Sequence, residues 1–78
     1  MPTAKEMFET LGYEYMFCSD INRISYSRYD GCGDFQLIFF DVDYRIFFTE
    51  DEYEGMHIDI PTFKAIHQQM KELGWLDE

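Results

Sequence analysis

Carboxylates are the commonest reactive side chains in this sequence, and they cluster. Asp41 and Asp43 flank a turn, and Glu50, Asp51, Glu52 and Glu54 crowd one short run. Such groups can chelate a hard cation, relay protons or dock a positive surface. A calcium loop needs a D-x-D-x-D-G pattern closed by a glutamate at the twelfth position, and neither segment has it. Acid–base work needs a carboxyl in apolar surroundings that raise its pKa, and these stretches read as exposed. A solvated turn and loop, or a docking face for a basic partner, are the readings left to them. Asp41, Asp43, Glu50, Asp51, Glu52 and Glu54 are therefore the candidate protein-binding residues.

The thiols and imidazoles carry less. Cys18, Cys32, His57 and His67 contain no C-x-x-C or H-x-x-x-H pair, the spacing at which zinc ligands usually come. Cys32 stands between Gly31 and Gly33 and reads as exposed. A reactive thiolate wants positive surroundings, and this loop supplies Asp30 and Asp34 instead. The same two carboxylates would repel a phosphate, and no lysine follows the glycines as in a phosphate-binding loop. No catalytic, cofactor or metal residue is assigned, and the chain reads as a non-enzyme.

The elements that position these groups follow from periodicity and punctuation. Thr3 and Glu6 form a capping box, and Ala4, Met7, Phe8 and Leu11 repeat at helical spacing, which predicts a helix over residues 4–11. Gly12 suits the left-handed residue after it, and Tyr13 is placed to pack back on Phe8. A second helix is predicted over residues 60–73, with Asp59 as N-cap, Pro61 in the first turn and Gly74 as its stop. Its buried stripe is expected to be Ile60, Phe63, Ile66, Met70 and Leu73, with Trp75 folded back over Met70. Between the helices, strands are predicted at 13–18, 23–29, 35–40 and 45–49, joined by turns at 19–22, 30–34 and 41–44. An acidic loop at 50–55 and a short strand through Met56, Ile58 and Ile60 complete the pattern. Short turns make neighbouring strands antiparallel. The expected fold is α+β, an antiparallel sheet of about four strands flanked by an N-terminal and a C-terminal helix, α-β-β-β-β-α, as a single domain over residues 1–78 with both helices on one face.

Composition narrows the partners. The 78 residues carry 16 acidic against 6 Lys plus Arg, a formal net charge of −10. Nucleic acids and anionic membranes present phosphate that a binder must neutralise, so neither is expected as a direct partner. A protein with a basic surface is. Aromatic residues make up 19% of the chain, enough to fill a small core. Adjacent pairs, Phe39–Phe40 and Phe47–Phe48, must then send one ring to each face of the sheet. A homodimer through that second face is the alternative to a basic partner. The start of the chain has no basic stretch leading into an apolar run, no segment approaches a membrane span, and two cysteines read as free thiols. The expected location is the cytoplasm.

The ends of the chain also carry a resemblance. Ala4-Lys5-Glu6-Met7-Phe8, Leu11-Gly12-Tyr13, Ala65-Ile66 with Gln69, and Glu72-Leu73-Gly74-Trp75 resemble a family of small uncharacterised proteins encoded by phages, prophages and mobile elements of Gram-positive bacteria. The resemblance implies an accessory role in a bacterial host cell and brings no activity, cofactor or functional residue. The function expected from all this is protein–protein binding, with inhibition or modulation of a basic or nucleic-acid-binding host protein.

Overall fold

A computed structural model describes residues 2–29, 35–51 and 58–76. The order is α1 (Ala4–Thr10), β1 (Glu14–Cys18), β2 (Arg23–Tyr29), β3 (Phe35–Asp41), β4 (Ile46–Asp51) and α2 (Ile60–Glu72). The strands form one antiparallel meander in the order β1-β2-β3-β4. The expected turn at 30–34 with Cys32, and His57 within the expected short strand, lie outside the described residues. Ile58 and Asp59 are in no strand, and Ile60 already opens the helix.

Both helices start and stop as their sequences require. The Thr3 hydroxyl accepts from the Glu6 N–H while the Glu6 carboxylate accepts from the Thr3 N–H. Those bonds hold the Glu6 carboxyl below its ordinary pKa. Asp59 accepts from the Thr62 N–H in the same way. At the other ends, Gly12 and Gly74 have φ of +93° and +76°. Tyr13 donates its N–H to the Phe8 carbonyl and Trp75 its own to the Met70 carbonyl. Both helices thus close with the same left-handed stop, and Tyr13 then lies edge-on to Phe8 at 5.3 Å.

The helices cover one sheet face. Phe8 of α1 stacks on Tyr26 of β2 at 3.9 Å between ring centres, and Ala65 and Ile66 of α2 join Tyr26, Ile38 and Phe40 in the core. The helices run antiparallel, since the Ala4 N–H at the start of α1 donates to the Glu72 carboxylate at the end of α2 over 2.7 Å.

The buried stripe of α2 differs from expectation. Its buried residues are Thr62, Ala65, Ile66 and Gln69, whereas Ile60 is 66% and Phe63 53% exposed. Met70 and Leu73 pack at the core margin. The helix turns its small Ala65 toward the sheet, which lets it approach closely, and turns Gln69 inward because the Tyr26 hydroxyl donates to the Gln69 side-chain oxygen over 2.6 Å. Burial of the ring pushes the Tyr26 hydroxyl pKa well above its ordinary value, so this donor keeps its proton.

Candidate binding face

The face of the sheet away from the helices is a grid set by strand register. Its first row reads Glu14, Ser27, Leu37, Glu50; the second Met16, Ser25, Phe39, Phe48; the third Cys18, Arg23, Asp41, Ile46. Carboxylates end the first row on both edge strands, about 14 Å apart across three strand spacings. Apolar side chains dominate the second row, with Phe39 and Phe48 in contact at 4.7 Å. The Arg23 guanidinium lies over both rings, 5.0 Å and 5.3 Å from their centres. Its Nε and Nη2 donate to the two Asp41 oxygens at 2.8 Å and 3.3 Å. That hydrogen bonding to Asp41 holds the Arg23 pKa above its ordinary value. The aromatic pair is thereby roofed by an internally neutralised ion pair.

Two of the candidate carboxylates are corrected by this geometry. Asp41 does not sit in an exposed turn. It is the last residue of β3 and is buried, because its neighbour Arg23 on β2 takes both carboxylate oxygens. Glu50 is exposed, but it belongs to β4, as does the backbone of Asp51, so the expected acidic loop begins later than residue 50. The turn between β3 and β4 is 42–45, and Arg45 takes up the left-handed residue there at φ +57°. Asp43 is exposed on this turn and accepts from the Asn22 side-chain amide at 2.9 Å, tying two turns together. Glu52 and Glu54 lie outside the described residues. Of the six candidates, Asp43 and Glu50 are thus placed as exposed carboxylates, Asp43 on the turn before β4 and Glu50 near the far end of that strand.

The cations behave differently from the acids. Arg28 lies over the Tyr13 ring at 4.5 Å, donates to the Leu11 carbonyl at 3.2 Å and binds the Gln36 side-chain oxygen through Nε and Nη2. Arg45 donates to the Trp75 carbonyl at 3.0 Å. Lys5 places its ammonium 4.9 Å from the centre of the Tyr15 ring. With Arg23, four of the six Lys and Arg side chains contact the chain's own groups. Among the described residues, one ion pair, Arg23–Asp41, engages a carboxylate. Glu9, Glu14, Asp20, Asp43 and Glu50 stay exposed.

Cys18 is a free, exposed thiol beside Arg23, and His67 is exposed with its ring parallel to Phe63 at 6.2 Å. No group of three or more His, Cys, Asp or Glu among the described residues is placed to hold a metal. No described helix is long and apolar enough to cross a membrane. A shallow apolar groove of about 470 Å³ runs between the helices, lined by Met7, Leu11, Ile60 and Pro61 with Glu6 and Lys64 at its rim. The sequence pattern hid it by assigning Ile60 to the core. Family models, curated proteins and solved structures give no match to this chain.

Proposed function

We propose that this chain is a binding protein that docks a basic surface on another protein, as an accessory factor of a mobile element acting in the bacterial cytoplasm. One observation carries the reading. Arg23, Arg28 and Arg45 are turned onto the chain's own carboxylate, carbonyl and amide oxygens, whereas Glu14, Asp20, Asp43 and Glu50 stand exposed. Among the described residues, exposed carboxylates thus outnumber exposed lysines, in keeping with the net charge of −10. A field of this sign raises the encounter rate with basic partners and disfavours nucleic acid and anionic lipid. A nucleic-acid-binding protein of the host, with its own basic face, is the partner class that fits.

Self-association through the aromatic sheet face is less well supported. The Arg23 guanidinium already covers Phe39 and Phe48, and that contact contributes about 0.5–1 kcal/mol that a dimer would have to replace.

The test is titration of a fluorescent lysine-rich peptide into the wild type and into a variant carrying Asp43→Asn and Glu50→Gln. The wild type binds at low salt, and its advantage over the variant shrinks as salt rises toward physiological strength, where the Debye length is about 8 Å. Equal affinity of the two proteins at low salt would remove these two carboxylates as docking groups.

A further inference from the structure

The two edges of the sheet are not alike. β4 passes directly into residues 52–57, which lie outside the described residues. β1 reads Glu-Tyr-Met-Phe-Cys, is exposed at all five residues, and pairs with β2 through five consecutive residues without a bulge. It has no proline and no lysine, the residues that usually blunt an edge. Every second residue of such a strand aims its N–H and C=O outward. Tyr15 and Phe17 stand on the helix side of the sheet, 39% and 47% exposed, and Met16 on the open side at 67%. Lys5 reaches the Tyr15 ring from α1 and leaves the open side clear.

We infer that β1 is a docking edge that captures an extended cationic segment of the partner as a fifth strand of the sheet. This rests on the proposed binding of a basic protein and names how that protein is held. Charge selects the occupant. Glu14 opens the strand, Glu9 stands on the neighbouring helix and Asp20 on the turn that follows, all exposed. A second copy of this chain would bring another −10 to the same seam. A basic strand meets no such repulsion. Main-chain bonds hold it, apolar side chains on one side meet Tyr15 and Phe17, and a lysine or arginine on the other side faces Glu14.

The probe is a short synthetic peptide of alternating lysine and valine. Two further copies carry backbone N-methyl groups on alternate residues, one copy blocking each edge of the peptide. The protein is left unchanged, so no variant has to fold. Binding at low salt should survive in one methylated copy and fall in the other by about fivefold for each main-chain bond lost. The alternate β1 amides that point away from β2 should gain protection from hydrogen exchange only with the competent peptides. If both methylated copies bind as tightly as the parent and Asp43→Asn with Glu50→Gln weakens them all, the edge is wrong and the basic partner stands. If no cationic peptide binds at low salt, both readings fall. If sedimentation finds a dimer whose β1 amides are protected without peptide, a second copy holds the edge and the inference is overturned.

Discussion

Replacing Asp41 by asparagine separates a structural carboxylate from a docking one. Asp41 takes two hydrogen bonds from Arg23, and the two side chains are 11% and 30% exposed. A fully exposed pair would contribute about 0–1 kcal/mol, and hydrogen bonds to a charged group shielded from water about 1.5–3 kcal/mol. This pair lies between those limits. Asparagine keeps one carbonyl acceptor for Arg23 and loses the charge, so the expected loss is about 1.5 kcal/mol, the lower end of the second range. In a domain of this size each 1 kcal/mol moves the melting midpoint by roughly 4–8 °C. Asp41→Asn should therefore melt about 6–12 °C below the wild type by circular dichroism. Glu50→Gln, on the same face but exposed, should stay within about 0.5 kcal/mol of it. A double-mutant cycle with Arg23→Met isolates the pair and should return a coupling near 1 kcal/mol. If Asp41→Asn melts within about 1 °C of the wild type yet binds a cationic peptide more weakly at low salt, Asp41 is a docking residue and the assignment made here fails.

Three further outcomes follow from the packing. Tyr26→Phe strands the buried Gln69 oxygen and should destabilise by about 1–3 kcal/mol in urea unfolding; adding Gln69→Leu should recover much of that loss. Trp75 packs half-buried at the core margin, 6.2 Å from Phe40, so Trp75→Ala should lose about 2–3 kcal/mol, below the range for a fully buried aromatic. The Glu6 carboxyl has a folded pKa below its unfolded one because the Thr3 N–H and hydroxyl bond its charged form. Its contribution is therefore complete above the unfolded pKa and is lost as pH falls through the folded one. The melting difference between wild type and Glu6→Gln should be constant near neutrality and vanish in acid, and a difference unchanged by acid would show that the charge of Glu6 does not produce it.

How far residue types announce this fold depends on whether local or tertiary forces set each position. The helix caps were legible because Thr3 with Glu6, Asp59 with Thr62, and the glycines at 12 and 74 act within a few residues of chain. The strand order was legible because short turns leave neighbouring strands no other pairing. The face of α2 was not. Hydropathy favoured Ile60 and Phe63, whereas the fold chose Ala65 for its size and Gln69 for its acceptor, a need created by Tyr26 some forty residues earlier. Asp41 was misplaced for the same reason: its partner Arg23 is eighteen positions away in sequence and adjacent only across β2 and β3. Conversely, the exposure of Asp43 and Glu50 followed from residue type alone, since a carboxylate needs no tertiary signal to stay in water.

The bond from Ala4 to Glu72 sets an order of events for folding. Every strand pairing joins sequence neighbours, so the three hairpins can close quickly with little loop entropy. The clasp between helices spans 68 positions and carries the largest closure term, although that term grows only logarithmically with span. The sheet should therefore zip from its turns outward, with α1 and α2 meeting late. A destabilising change at Glu72 should mainly speed unfolding and leave the folding rate nearly untouched, while changes at the β2–β3 pairing should slow folding itself.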